Sequence, residues 1–138
     1  SEVGKLRGRA PAGRLPELDA SAVRVGHQAV REGVRSGALH SAHDIAEGGL
    51  AVALAECCMA GGLGARVELP EGLDLFAEAP GQAFIVSGSA DALAGFGPGT
   101  GVRLIGAVGG DELEIAGQLK VAVSALRDAY EPGLQRFM

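Results

Sequence analysis

The amino-acid sequence predicts an α/β fold of the α+β kind, a mixed β-sheet with helices packed on it. Stretches with apolar residues at helical spacing interleave with short stretches of period-two alternation, the pattern of layered helices and strands. Turns containing glycine or proline separate these stretches, and no internal repeat is visible. The 138 residues are 47% hydrophobic and carry a net charge of −5, which is enough apolar content for a core and too little charge to keep the chain disordered.

The same composition sets aside several function classes. Lys and Arg number 12 against 17 Asp and Glu, so no nucleic-acid partner is expected. No apolar run approaches the roughly 20 residues of a membrane span, and no secretory leader is visible, so no membrane partner is expected either. Cys57 and Cys58 are adjacent, which suits neither a zinc site nor a disulfide framework. They read as small buried residues of a reducing, cytoplasmic setting.

Residues 1–16 read as a linker or N-terminal arm, since Gly4, Gly8, Pro11, Gly13 and Pro16 are interspersed with Lys5, Arg7, Arg9 and Arg14. Ser1 stands in place of an initiating methionine, so the chain reads as a piece of a longer one. A single α/β domain is expected over 17–138. Its first helix should cover 19–36, with Asp19 able to cap the start and Gly37 placed to end it. Val23, His27, Val30 and Val34 fall on one stripe, so His27 is expected to be packed rather than a ligand. Gly26 and Gly33 each weaken the helix by up to ~1 kcal/mol relative to alanine and are expected to mark close packing.

A strand should follow over 39–45. Its alternation puts Leu39, Ser41, His43 and Ile45 on one face and His40, Ala42 and Asp44 on the other. His43 and Asp44 are therefore not expected to act as a catalytic pair. The next helix is predicted over 47–60, with Leu50, Leu54, Cys57 and Cys58 on its stripe and Gly61, Gly62 and Gly64 stopping it. A half-exposed strand over 65–69 leads to an irregular stretch, 70–81, anchored by Leu73, Leu75 and Phe76. Strand 82–87, a short helix over 90–96 and a Gly/Pro turn come next. Strand 102–108 should form a hairpin through Gly109-Gly110-Asp111 into 112–115. Ser124 is expected to cap a last helix that buries Leu126, Tyr130 and Leu134 and is disturbed by Pro132 and Gly133.

The stretch from Ser41 to Leu50 carries the chemistry. It passes from a strand through an acidic turn into a helix that opens on Gly48 and Gly49. An aspartate leaving a strand can hold a hard cation through its oxygens. Paired glycines at a helix start let an anionic ligand approach N–H groups at the positive end of the dipole. Together these suggest a Mg-nucleotide or phosphate site with Asp44 as the metal ligand. The other reading is a glycine turn where helix packs closely on strand and Asp44 is the helix N-cap, and spacing alone favours it.

The run His43-Asp44-Ile45-Ala46-Glu47-Gly48-Gly49-Leu50-Ala51-Val52-Ala53-Leu54-Ala55-Glu56 resembles the H-D-[VIR]-S-[DE]-G-G-L-x-V-x-L-A-E segment of the phosphoribosylformylglycinamidine synthase family. Ser1-Glu2 is similar to the S-E-Y that opens the last domain of that synthase. Leu75-Phe76-Ala77-Glu78 is similar to L-F-x-E-S-Q, and Ile105-Gly106-Ala107-Val108 to I-G-x-V. The run from Leu126 to Met138 resembles the closing helix. The resemblance thus covers nearly the whole chain. It implies a fold like the C-terminal domain of aminoimidazole ribonucleotide synthetase, here in the second half of the synthase.

The resemblance implies an ATP-dependent C–N ligase of purine biosynthesis, which converts formylglycinamide ribonucleotide with glutamine-derived ammonia to formylglycinamidine ribonucleotide. ATP activates the amide oxygen as an iminophosphate, and ammonia displaces phosphate. The implied partners are the remaining domains of the synthase, a glutaminase subunit and a small accessory subunit; ending at Met138 would suit the short form of the enzyme. The implied cofactors are ATP or ADP with Mg2+ at an auxiliary site, with Asp44 on the metal and the turn Ala46, Glu47, Gly48 and Gly49 on the nucleotide. Ala46 replaces the family's nucleotide-contacting serine, so only backbone contact could survive there. Glu78 keeps the glutamate of E-S-Q, but Ala79 and Pro80 replace its serine and glutamine, which implies a decayed second copy of a substrate loop. The family's catalytic histidine and ATP-binding lysine have no counterpart in this stretch, so no catalytic residue is assigned and the segment alone is expected to be inactive. The alternative is a non-catalytic nucleotide-binding or structural module of a selenophosphate, thiamine-phosphate or hydrogenase-maturation relative, whose aspartate-glycine motif lacks the GGLAVALAE extension.

Overall fold

A computed structural model describes residues 2–9, 17–96 and 99–135. Its elements in chain order are α1 (Glu2–Leu6), α2 (Ala20–Ser36), β1 (Leu39–Asp44), α3 (Gly49–Gly61), β2 (Ala65–Val67), β3 (Phe84–Gly88), α4 (Ala90–Ala94), β4 (Gly106–Val108), β5 (Glu112–Ile115), β6 (Leu119–Ala122) and α5 (Val123–Gln135). The chain divides into two compact units, Ser1–Ala53 with Leu75–Leu104 and Leu54–Asp74 with Ile105–Met138. Among the described residues no helix is long and apolar enough to cross a membrane.

In the first unit, β1 and β3 pair antiparallel, with His43 opposite Ile85 and Asp44 opposite Phe84, and a register irregularity between Leu39 and Ser41. The caps of α2 are those its sequence calls for. Asp19 accepts from the N–H groups of Ser21 and Ala22, and Gly37 ends the helix at φ 74°. Its inner face differs from the expected stripe. Gly33 is buried and Val23, Gly26, Ala29 and Val30 are half-buried, while His27 is exposed and Val34 is 53% exposed. The cause is Gly33, where a Cβ would lie 2.8 Å from Leu39 Cδ1 and 3.1 Å from Phe96 Cζ. With Gly33 facing inward, position 34 lies about 100° further round the helix and looks outward. Gly26 has no neighbour within 4 Å of a Cβ position, so only Gly33 marks close packing. Ser89 caps α4 by accepting from the Ala92 N–H. Residues 2–6 are helical where a connector was expected, with Glu2 in the first turn and Lys5 in the last, each suited to the dipole there. Residues 10–16 of the expected linker and the Gly97-Pro98 turn lie outside the described residues.

The second unit is a four-stranded mixed sheet in the order β4-β2-β5-β6. β2 runs antiparallel to β4 and parallel to β5, and β5 runs antiparallel to β6. The expected hairpin between β4 and β5 is therefore wrong, because β2 lies between them. The Gly64 N–H donates to the Gly110 carbonyl and the Gly109 N–H donates to the Gly64 carbonyl, both at 2.8 Å. Pairing on both sides of β2 buries Ala65 and Val67 against Leu113 and Ile115, which are fully buried, and that burial outweighs a local turn signal. Strand pairing starts only at Gly106, so 102–105 is not strand. The sequence reading missed β6, which returns through a tight turn closed by the Gln118 N–H on the Ile115 carbonyl at 2.9 Å.

Helix α5 starts at Val123, one residue before Ser124, and the Val123 N–H, which has no partner within the helix, donates to the Asp111 carbonyl at 2.9 Å. Ser124 is thus not its cap. Tyr130 is 49% exposed, which corrects its expected burial, and Leu73 is likewise exposed at 43%. The side chain of Leu134 lies outside the described residues. The backbone stays helical through Pro132 and Gly133 to Gln135; the proline removes one N–H donor without ending the helix.

Candidate functional site

The strand–turn–helix from β1 into α3 lies in the first unit up to Ala53. Strand β1 is extended by one bond beyond Asp44, since the Ile45 N–H donates to the Ala83 carbonyl at 2.9 Å. The Ile45 carbonyl accepts from the Ala79 N–H at 3.0 Å, which ties the 75–83 segment beside the turn. The chain then reverses through Ala46 to Gly49, closed by the Gly49 N–H on the Ala46 carbonyl at 3.1 Å. Gly48 and Gly49 have φ of 81° and 72°, a region open to glycine at little cost.

Gly49 is required for a second reason. A Cβ there would lie 2.6 Å from the carbonyl carbon of Phe76 and 2.8 Å from the Ala77 oxygen. The close approach that the glycine pair permits is thus taken by the chain's own backbone at 76–77. Two N–H groups at the helix start are satisfied from the same segment. The Ala51 N–H donates to the Leu75 carbonyl at 3.0 Å, and the Gly48 N–H donates to Glu78 Oε1 at 3.2 Å. That carboxylate oxygen also accepts from the Glu2 N–H at 2.6 Å. These two backbone bonds, Glu2 first and Gly48 second, hold the Glu78 carboxyl below its ordinary value.

Asp44 is the last residue of β1 and lies outside α3, which begins at Gly49. It is therefore not the helix N-cap. Its side chain is 49% exposed, with Oδ1 3.7 Å from His43 Nδ1. The imidazole Nδ1–H donates to the Asp44 main-chain carbonyl at 2.6 Å. Ala46 is half-buried and Glu47 exposed. His27 is exposed rather than buried, yet it packs on the β3 side, with Nε2 2.6 Å from the Gly81 carbonyl and its ring edge-on to Phe84 at 5.1 Å.

Two requirements of a Mg-nucleotide site can be tested on this geometry. Magnesium is commonly held by one or two carboxylates together with phosphate oxygens and water, and the exposed Asp44 carboxylate can supply one such ligand. Among the described residues no group of three or more His, Cys, Asp or Glu could hold a metal, so the remaining ligands would have to come from phosphate and water. The N–H groups of the turn meet the second requirement less well, because Gly48 and Ala51 already donate within the chain.

Asp44 ends β1 and Ala46, Glu47 and Gly48 follow it as a turn, so the helix expected over 47–60 begins only at Gly49. The sequence reading did not point to Leu75, Phe76 and Ala77 as the lining of that turn. It also read Glu78 as a remnant rather than as the acceptor for Gly48. A signal was present: a glutamate following two apolar anchors, and a glycine pair that needs a close neighbour. Nothing local links stretches that far apart in sequence.

Residues 8–123 match the model of the AIR synthase related protein, C-terminal domain. Phosphoribosylformylglycinamidine synthase subunit PurL of Anaeromyxobacter sp. (strain Fw109-5) is 40% identical over 142 residues, covering 89% of this chain and 18% of that protein. The subunit of the same name from Methanosarcina mazei is 36% identical over 148 residues, covering 100% of this chain and 20% of that protein. The chain thus spans about a fifth of the length of these relatives. Among solved structures, Thermotoga maritima PurL complexed with FGAR superposes with a TM-score of 0.62 at 19% identity, over 79% of this chain and 21% of that one. The same protein complexed with ATP gives 0.56 over 75% and 21%; at such identity the likeness is one of fold. The match over 8–123 is decisive for membership: this chain belongs to the AIR synthase related protein, C-terminal domain family.

Proposed function

We propose that this chain is the C-terminal domain of the second half of a phosphoribosylformylglycinamidine synthase, an ATP-dependent ligase of purine biosynthesis. In that role it would serve a longer chain that makes formylglycinamidine ribonucleotide from formylglycinamide ribonucleotide, ammonia and ATP. The observation that carries this reading is the H-D-x-A-E-G-G-L run folded as strand, turn and helix within a match that extends over residues 8–123. The names of the relatives support it over a selenophosphate, thiamine-phosphate or hydrogenase-maturation module. A Thermotoga maritima structure described as PurLQS supports partners of the subunit kind, in line with a glutaminase and a small accessory subunit.

Within that assembly the domain is proposed to hold an auxiliary ATP or ADP with Mg2+. The exposed Asp44 carboxylate would ligate the cation, and the turn Ala46–Gly49 would lie against the nucleotide through its backbone. Magnesium bound there would neutralise charge on the phosphates. His43 would fix the strand end through its bond to the Asp44 carbonyl.

The test uses the complete protein. It should convert formylglycinamide ribonucleotide with ATP and ammonia, and failure to do so under conditions where a known synthase turns over would overturn the ligase reading. Asp44→Asn keeps the shape and removes the charge, so copurifying nucleotide should be lost, together with its thermal stabilisation. A ligand at 100 times its dissociation constant contributes ~2.7 kcal/mol, which is visible in a melting curve. If the unaltered protein carries no nucleotide and Mg-ADP does not raise its Tm, the auxiliary-site reading fails while the ligase reading stands.

A further inference from the structure

We propose that the Glu78 carboxylate is the resident anion of the α3 start, a positioning residue that closes the Asp44–Gly49 turn and that any phosphate must displace. The proposal rests on the nucleotide reading only for the identity of the displacing anion. Its first support is the bond itself: Glu78 Oε1 lies 3.2 Å from the Gly48 nitrogen. An oxygen at that place fills the position a phosphate oxygen would take on the same N–H. The positive end of the helix dipole favours a carboxylate there as it would a phosphate.

The second support is the fit of the segment that carries Glu78. Phe76 and Ala77 press their backbone on Gly49, closer than any side chain at that position would allow. The Leu75 carbonyl takes the Ala51 N–H, and the Ala79 N–H is tied to the Ile45 carbonyl. The segment is thus pinned on either side of Glu78, and the glutamate reaches the turn from a fixed backbone. The third support is the Glu2 N–H, which donates to the same carboxylate oxygen at 2.6 Å. Displacing Glu78 from this place therefore breaks the Glu2 bond along with the Gly48 bond, while the Leu75 and Ala79 ties can remain in place.

Exposure of Asp44 beside a turn whose Gly48 N–H is already occupied has a plain chemical meaning. A metal can reach the aspartate without rearrangement, whereas phosphate competes with a tethered carboxylate for Gly48. Removing the competitor should tighten binding, the opposite of what loss of a ligand-contacting residue does.

The experiment compares the complete protein with its Glu78→Ala and Glu78→Gln variants. Mg-ADP binding is measured by calorimetry and amide hydrogen exchange over 46–51 by mass spectrometry. Glu78→Ala should bind Mg-ADP at least tenfold more tightly, and its ligand-free amide at Gly48 should exchange at least tenfold faster. Unchanged or weaker Mg-ADP binding by Glu78→Ala overturns the displacement. Binding by neither protein defeats the nucleotide reading instead, and exchange alone then decides: faster exchange upholds the positioning role, and equal exchange overturns it. Should Glu78→Ala melt below the assay temperature, Glu78→Gln provides the same two readings with the charge removed and the side-chain length kept. Shifts of about threefold in the same directions are expected there, and their absence counts against the proposal.

Discussion

Arg127 in α5 donates from Nη2 to the main-chain carbonyl of Met59 near the end of α3, 2.5 Å away, although the two residues are 68 apart in sequence. The last carbonyls of a helix have no partner within it and carry the negative end of its dipole. A guanidinium supplies both the missing donor and the matching charge. It also lies 3.6 Å from where a Cβ on Gly62 would be, an ordinary contact, so glycine just past the helix is favoured by its φ of 65° and not by the guanidinium.

Replacing Arg127 by alanine should lower stability by about 1 kcal/mol, the scale of a hydrogen bond assisted by charge at an exposed helix end. Lysine should recover part of the loss. Urea midpoints of the three proteins at constant m-value check this, and an unchanged midpoint for alanine would show that the bond contributes nothing.

The two helical glycines of α2 should respond in opposite directions. Gly26→Ala meets open space and should stabilise by up to about 1 kcal/mol through helix propensity. Gly33→Ala places its methyl against Leu39 and Phe96 and should destabilise despite the same propensity gain. A pair of thermal melts decides it, and equal shifts for the two variants would rule out the packing account of Gly33.

The cysteines should be slow nucleophiles while the chain is folded. Burial is the main influence pushing both thiols above their ordinary value, with the neighbouring Cys58 and Glu56 charges adding to it at Cys57. Cys58 is 4% exposed and Cys57 only half-buried. Iodoacetamide at neutral pH should modify Cys57 first, and Cys58 should become reactive at least tenfold faster in urea. Rapid native alkylation of Cys58 would contradict its burial.

Glu78 also gives a pH dependence with a definite sign. Its folded-state value lies below the ordinary one because the Glu2 and Gly48 N–H groups bond the charged form. The stability it contributes is therefore fully present above the ordinary glutamate range and is lost as pH falls through the depressed folded value. The stability difference between the unaltered protein and Glu78→Gln should be constant near neutrality and shrink in the acid limb. A difference that grows on acidification would reverse the assignment.

What was legible in the sequence follows how local its physics is. Asp19, Gly37 and the Gly48-Gly49 turn were placed correctly, because cap and turn chemistry acts over a few residues. The β4–β5 hairpin was misplaced because β2 pairs with both strands from far along the chain, and a Gly-Gly-Asp turn cannot reveal that competitor. Val34 and His27 were assigned to the inner face by period alone, whereas the approach at Gly33 sets where that face lies. The motif alone does not show the bond from Gly48 to Glu78, which depends on the backbone of 75–79 being in place. The family likeness carried fold and membership, but it did not show that the amide at Gly48 is already engaged.

The parallel pairing of β2 with β5, and its antiparallel pairing with β4, sets a timetable for biogenesis. β2 leaves the ribosome well before either neighbour, since all of 68–105 must be made before β4 begins. At roughly 5–20 residues per second, Ala65 and Val67 wait about two to eight seconds without strand partners. In that interval the β1–β3 ribbon can already close. The second unit thus completes its sheet later than the first, and β2 is the inner strand that must stay unpaired while the intervening chain is made.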